Sequence, residues 1–152
     1  MNKMYVLIAA VFVIVVAFLL FGGSSLQECE KLALQNRTLC YSNAALKSQN
    51  PDVCGNIGEP MDKNSCIKGV AIDSNNSAVC DRIGDSKFRD SCLLEVARIR
   101  SDVVLCGRIQ SGGKRDECYL WAAVQRSNVS ICGLIGNADY REACSSDVSA
   151  IL

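Results

Sequence analysis

The sequence predicts an all-α protein, with an N-terminal transmembrane helix followed by a short α-solenoid of five disulfide-stapled helical hairpins. Three observations support this fold class: a long apolar run at the amino terminus, ten regularly spaced cysteines, and apolar residues spaced as on one face of a helix. We predict that residues 1–24 form a signal anchor and that residues 25–152 form the repeat domain.

The amino-terminal apolar run extends from Met4 to Phe21 without a charged residue. As an α-helix, its 18 residues cover about 27 Å, close to the ~30 Å hydrocarbon core of a bilayer. This length favours an anchor over a signal peptide cleaved near Ser24 or Ser25. Because Lys3 is the only charge before the run, the positive-inside rule predicts an extracytoplasmic repeat domain, secreted if cleavage occurs. The membrane is therefore a predicted partner, contacted through residues 4–21.

The ten cysteines repeat with a period of 26 residues, and the first copy is one residue shorter. They are Cys29, Cys40, Cys54, Cys66, Cys80, Cys92, Cys106, Cys118, Cys132 and Cys144. Each of the five copies holds two of them. A period of this length is typical of stacked repeats in which each unit contacts its neighbours.

Each copy is predicted to form a short helix of about two turns and then a longer helix. Residues that favour helix starts stand four positions before the first cysteine of each copy: Ser25, Asn50, Asn76, Asp102 and Asn128. Glycines are predicted to end the short helices: Gly58, Gly84, Gly112 and Gly136. Apolar or small residues on one face of each longer helix predict a shared core.

Disulfides within each hairpin are the predicted role of the cysteines. Cys80 and Cys92 lie equally far from the middle of their loop, so antiparallel helices hold them at equal height. Pairs between copies, such as Cys92 with Cys106, would differ in height and would leave Cys29 and Cys144 unpaired. We therefore predict the pairs 29–40, 54–66, 80–92, 106–118 and 132–144, although spacing alone does not prove connectivity.

Composition limits the function. Lys plus Arg equals Asp plus Glu at 16 each, so the net charge of zero gives no field for nucleic acid. The absence of histidine excludes Ser-His-Asp and Cys-His catalysis and every zinc site that needs an imidazole. No nucleophile, base and orienting group can be assembled, so we predict a protein that is not an enzyme, with no cofactor and no metal.

An exposed apolar patch is the predicted binding surface. Leu94, Leu120 and Trp121 fall outside the core-facing stripe of the third and fourth copies. The alternative is that a neighbouring copy covers them. N-glycosylation sequons begin at Asn36, Asn75 and Asn128.

A column of basic residues stands three positions before the second cysteine of each copy: Arg37, Lys63, Arg89, Arg115 and Arg141. Such a column could form a ladder that binds an acidic ligand. We favour a local role, in which each cation satisfies the free carbonyl groups at the end of the short helix.

The clearest repeat runs from Asp102 through Cys106 to Ile109, and continues with Arg115-Asp116-Glu-Cys118 and Ala123. Through these columns, residues 25–152 resemble a loosely defined group of archaeal proteins with tandem copies of a pattern like D-x-x-x-C-x-x-I…R-D-x-C-x-x-x-x-A. The resemblance implies a helical repeat and transfers no activity. The twin-cysteine helical hairpins of the mitochondrial intermembrane space are similar in logic, but their Cys-x9-Cys spacing is shorter than the spacing in this chain.

We therefore predict a membrane-anchored, extracytoplasmic binding or scaffold module without catalysis, which binds a protein partner. One alternative is a self-assembling structural subunit of the cell surface. A second alternative is a thiolate metal-binding protein, but the chain lacks the close Cys-x2-Cys clustering that such sites favour.

Overall fold

The computed structural model describes residues 24–151, with side chains from residue 26 onward. These residues form five helical hairpins, which we number repeat 1 to repeat 5 in chain order. The short first helices are Ser24–Glu30, Pro51–Asn56, Val79–Arg82, Val103–Cys106 and Val129–Leu134. The long second helices are Leu34–Ser48, Pro60–Asp73, Ser86–Arg100, Gly112–Gln125 and Ala138–Ile151.

The short helix of repeat 1 has seven residues, about two α-helical turns as predicted, whereas those of repeats 2 to 5 are tighter or shorter. Three of them are 3₁₀ helices, and Val103–Cys106 has only four residues. Before each of the last four, a predicted helix-start side chain accepts a hydrogen bond from the backbone N–H two residues later. These side chains are Asn50, Asn76, Asp102 and Asn128. The bond closes a local turn, which leads directly into the short helix.

Long helices of successive repeats pack side by side, and each also contacts the short helix of the next repeat. The predicted apolar stripe forms the core between them. In repeat 3, for example, Cys92, Leu93, Val96 and Ala97 are buried, and the equivalent residues of repeat 2 are buried as well. Tyr119 is half-buried and packs against both parts of the core. Burial therefore extends along the stack from repeat to repeat.

Each hairpin is closed by its own disulfide. The pairs are Cys29–Cys40, Cys54–Cys66, Cys80–Cys92, Cys106–Cys118 and Cys132–Cys144. The Cα–Cα distances of the five pairs lie between 5.5 and 5.8 Å, within the usual range for disulfides. These are the same five pairs that the equal heights of the cysteines predict, so each 26-residue unit is joined covalently within itself.

One part of the predicted fold class requires correction. Among the helices of residues 24–151, none is long and apolar enough to span a bilayer. The longest of these helices have 15 residues and so cover only about 22 Å. The transmembrane helix, or signal anchor, was placed on residues 4–21, which lie outside the described residues. The fold class that the structure supports is a mostly helical repeat with five disulfides.

Gly112 also differs from the prediction that it ends a short helix. It is the first residue of the long helix of repeat 4. The preceding residues, Gln110 and Ser111, donate their backbone N–H groups to the carboxylate of Asp90, which fixes the start of this helix. No glycine in the described residues has a positive φ.

The left-handed positions lie instead at the ends of the long helices of repeats 1 to 4. They are Gln49, Asn75, Ser101 and Ser127, with φ between 45° and 51°, and they recur every 26 residues. Each directly precedes the residue whose side chain closes the local turn before the next short helix. This conformation is unfavourable for residues with a Cβ atom. At each turn, the backbone N–H of the following residue donates to a carbonyl of the long helix, as from Asn50 to Ala45 at 3.0 Å.

Candidate functional site

Two buried aspartates connect successive repeats. Asp90 accepts the backbone N–H groups of Gln110 and Ser111 at 3.1 and 2.8 Å. One repeat later, Asp116 accepts those of Gly136 and Asn137 at 2.9 and 3.0 Å. Each carboxylate therefore satisfies two N–H groups where the next long helix begins. Sequence reasoning missed this role, although an Arg-Asp pair recurring after 26 residues was a visible signal.

The environment of Asp116 favours its charged form. The backbone N–H of Gly136 is the main cause that lowers the pKa of Asp116 below its ordinary value of 3.8. Burial opposes this shift, whereas the Asn137 N–H and the guanidinium groups of Arg115 and Arg141 add to it. The carboxylate therefore acts as a charged hydrogen-bond acceptor between repeats 4 and 5.

The basic column has mainly local contacts. Arg115 donates to the carbonyl of Ile109 at 3.4 Å, and Arg141 donates to that of Ile135 at 2.9 Å. Arg37 donates to the carbonyl of Glu30 at 2.8 Å. These carbonyl groups lie at or just beyond the end of the short helix of the same repeat, as the local interpretation predicts.

The predicted patch is not one exposed surface. Leu94 is buried, with 6% of its surface exposed, and belongs to the core cluster. Leu120 and Trp121 are half-buried and pack against the core of repeats 4 and 5. Leu120 retains an exposed portion, which lines a cleft.

Two clefts lie at equivalent places between successive long helices. Cleft A, between repeats 2 and 3, is lined by Met61, Lys63 and Phe88, among others. Cleft B, between repeats 4 and 5, is lined by Lys114, Leu120 and Tyr140, among others. Their volumes are about 600 and 690 Å³, which is within the range of ligand sites.

The aromatic residues of the two clefts occupy the same position in the repeat. Phe88 and Tyr140 are each the third residue of a long helix and lie 52 residues apart. The backbone N–H of each is fixed at 3.0 Å by a capping side chain, from Asp85 or Asn137. Repeats 2 and 4 have charged residues, Asp62 and Lys114, at this position. An aromatic residue at this helix position therefore lines both clefts.

The acidic groups that line the clefts are engaged within the fold. Asp85 caps Phe88, Asp116 holds the start of the next helix, and Glu117 pairs with Arg98 at 2.6 Å. Lys63 and Lys114, by contrast, make no ion pair with any residue in the described range. The lining of cleft A therefore carries the charges of Lys63, Arg82 and Asp85, and that of cleft B carries those of Lys114, Asp116 and Glu117.

Within the described residues, one face of the long helix of repeat 1 is not covered by another helix. Cys40 and Ala44 are half-exposed, whereas the equivalent Cys66 and Val70 of repeat 2 are buried beneath the preceding long helix. The face forms a shallow cavity with Leu32 and Asn43 in its lining. No group of three or more acidic or cysteine side chains in residues 24–151 is arranged to hold a metal ion.

Comparison with known proteins gives no match. No family model fits the chain, no curated protein matches it, and no solved structure matches its fold.

Proposed function

We propose that this chain is a non-catalytic binding module that acts as a rigid scaffold in an oxidising, extracytoplasmic compartment. The observation that carries the proposal is the pair of equivalent clefts A and B on a stack of disulfide-closed hairpins. Binding surfaces commonly consist of apolar walls with a few polar groups on a rigid framework. The partner is a protein segment that inserts apolar side chains into the clefts.

The disulfide-bonded state of the cysteines supports the proposed extracytoplasmic compartment. It also favours a binding module over a thiolate metal-binding protein. All ten cysteines lie in the described residues and form disulfides. Disulfides of this kind are typical of extracytoplasmic proteins. They also disfavour the thiolate metal-binding alternative, because a sulfur in a disulfide is not a thiolate ligand.

Self-assembly is a second proposal, favoured by one observation. The uncovered face of repeat 1 leaves Cys40 and Ala44 half-exposed where other repeats are covered. A second copy packing there would bury this face. A molar mass that stays monomeric at increasing protein concentration in light scattering would contradict this proposal.

The binding proposal is tested by selecting peptides from a random display library on the full-length, oxidised protein. Selected peptides are then titrated against Met61→Ala/Tyr140→Ala and against the control Val104→Ala. Val104 is 78% exposed and lies outside the lining of both clefts. We expect binding to weaken at least about tenfold in the cleft variant only, as for interface hot spots. Failure to enrich any peptide, or equal binding to all three proteins, would refute the proposal.

A further inference from the structure

We infer that Asn128 is the acceptor of an N-linked glycan, which is attached to the folded protein at the turn before the short helix of repeat 5. This inference rests on the extracytoplasmic location in the proposed function, because N-linked sugars are carried on surface loops of exported proteins. Three sequons, which begin at Asn36, Asn75 and Asn128, are candidates in the sequence. Their geometries in the folded chain differ, and they select the third sequon.

The sequon at Asn128 presents its carboxamide and its hydroxyl residue together at the surface. Asn128 and Ser130 are both exposed. The Oδ1 atom of Asn128 accepts the backbone N–H of Ser130 at 3.0 Å, which holds the carboxamide against residue 130. The Nδ2 atom, to which an N-linked sugar is attached, makes no hydrogen bond with any residue in the described range. The turn and the glycan therefore use different atoms of one side chain.

The sequon at Asn75 lacks an accessible hydroxyl in the folded chain. Asn75 is exposed, but Ser77 is buried, with 8% of its surface exposed. The Ser77 hydroxyl accepts a hydrogen bond from Arg108 Nη1 of the next repeat at 3.4 Å. A transferase that must contact both side chains of the sequon can therefore reach only one of them here.

The sequon at Asn36 lies on a helix that separates its two side chains. Asn36 is the third residue of the long helix Leu34–Ser48, and Thr38 follows two positions later. Residues two positions apart on an α-helix point about 200° away from each other, so they do not share a face. Thr38 is also half-buried. One enzyme surface cannot contact both side chains while this helix is formed.

The modification is a glycosyl transfer to nitrogen. The Nδ2 atom of Asn128 forms a bond to the anomeric carbon of an oligosaccharide carried on a lipid pyrophosphate. The bond between that carbon and the pyrophosphate oxygen breaks, the lipid pyrophosphate leaves, and one proton is released from Nδ2. A separate oligosaccharyltransferase catalyses the step, and this chain supplies the acceptor. The Oδ1 atom is retained, so the product can keep the hydrogen bond from Ser130.

A glycan on Asn128 leaves the two clefts open. Asn128 and Ser130 lie outside the linings of clefts A and B. The long helix Gly112–Gln125 lines cleft B with residues no farther along than Leu120, whereas Asn128 follows the end of this helix. We therefore expect peptides selected on the clefts to bind the glycosylated and unglycosylated proteins equally.

Repeat 3 offers an internal comparison for the test. Asn76 closes the equivalent turn, and its Oδ1 atom accepts the backbone N–H of Ala78 at 3.1 Å. Ala78 is exposed but has no hydroxyl, so residues 76–78 are not a sequon. The substitution Ala78→Ser therefore transfers the arrangement of Asn128 and Ser130 to another repeat.

Glycosylation in vitro tests the inference. Full-length, oxidised, unglycosylated protein is incubated with a purified oligosaccharyltransferase and a lipid-pyrophosphate-linked N-acetylglucosamine disaccharide, and mass spectrometry identifies the glycopeptides. The wild type should take one glycan, at Asn128. Asn128→Asp, which retains the acceptor oxygen of the turn, and Ser130→Ala should take none. Ala78→Ser should take a second glycan, at Asn76. The reduced, unfolded chain is the control and should be modified at all three natural sequons.

The outcomes separate this inference from the proposed function. A glycan on Asn36 or Asn75 of the oxidised protein, no glycan on Asn128, or no second glycan in Ala78→Ser would overturn the selection by folded geometry. Absence of the Asn128 glycan from protein isolated from its native cells would overturn it as well. Cleft binding by selected peptides would stand in each case, because it does not depend on the glycan. If no selected peptide binds, the binding role fails, and a glycan confined to Asn128 still supports the inference.

Discussion

Repeats 1 and 3 have the same internal construction but differ in how they join the next repeat. Each is closed by one disulfide, with Cα–Cα distances of 5.5 and 5.7 Å. From repeat 3, Asp90 accepts two backbone N–H groups of repeat 4, and Asp81 pairs with Arg108 at 2.6 Å. In repeat 1, Thr38 stands at the position of Asp90 and makes no side-chain hydrogen bond within residues 26–151.

This difference distinguishes two sources of stability, the disulfides within each repeat and the polar bonds between repeats. The disulfides stabilise every hairpin alike, because they restrict similar loops of 11 or 12 residues in sequence separation. The polar bonds between repeats are concentrated farther along the chain. Repeat 1 also has only one neighbour among the described residues and an uncovered face. We therefore expect repeat 1 to open at a lower free energy than repeats 3 and 4.

Removing a central disulfide should have the largest effect. Cys80→Ala/Cys92→Ala should lower the free energy of global unfolding by about 3 kcal/mol, because the loop is no longer restricted in the unfolded chain. The matched variant Cys29→Ala/Cys40→Ala should mainly lower the local opening energy of repeat 1. Urea denaturation reports the global effect, and amide hydrogen exchange reports the local one. Equal global losses in both variants would contradict the difference between the repeats.

Replacing a buried aspartate should have the next largest effect. Asp90→Ala should lower the free energy of unfolding by about 2 kcal/mol, because two backbone N–H groups at a helix start lose their acceptor. At the equivalent position of repeat 1, Thr38→Ala should change it by less than about 0.5 kcal/mol. Chemical denaturation of the two variants measures both effects. Similar losses would show that the aspartate does not distinguish the junctions.

The contribution of Asp116 should depend on pH. The pKa of Asp116 is lowered in the folded protein, so its charged form stabilises the fold above the ordinary pKa of 3.8. This stabilisation should decline as the pH falls from that value through the lowered pKa of the folded state. The difference in unfolding free energy between the wild type and Asp116→Asn should therefore shrink between pH 6 and pH 2, as thermal or urea unfolding can measure. A constant difference over this range would rule out the proposed role of the charge.

The left-handed turns should show the smallest effect. Ser101→Gly should raise the unfolding free energy by about 0.5–1 kcal/mol, because glycine adopts a φ of 50° without the strain of a Cβ atom. Gln49→Gly should behave similarly, since this turn is common to both junctions. Ser101→Ala is the control and should give no gain. Thermal unfolding compares the three variants, and a loss on introducing glycine would contradict the account of the turn.

The sequence predicts the periodic features of this fold well. The cysteine spacing leads to the five disulfides. The predicted helix-start side chains close the turns that lead into the last four short helices, namely Asn50, Asn76, Asp102 and Asn128. Both depend on local spacing along a helix or turn, which can be worked out without knowing how the repeats stack. The transmembrane helix of the predicted fold class is not found among the helices of the described residues.

The surface could not be predicted in the same way, because it depends on contacts between repeats. Leu94 falls outside the apolar stripe of its own helix but is buried in the core cluster. Asp90 and Asp116 accept backbone N–H groups of the next repeat, a contact that spacing within one repeat does not reveal. The equivalent positions of Phe88 and Tyr140 were visible as a 52-residue spacing, but their clefts require two packed helices.

Disulfide mapping of the native protein tests the central structural claim most directly. Proteolysis without reduction, followed by mass spectrometry, should recover linked peptides in which both cysteines come from the same hairpin, as in Cys80–Cys92. Linked peptides joining different repeats, such as Cys92 with Cys106, or a set of free thiols, would contradict a stack of separately closed hairpins.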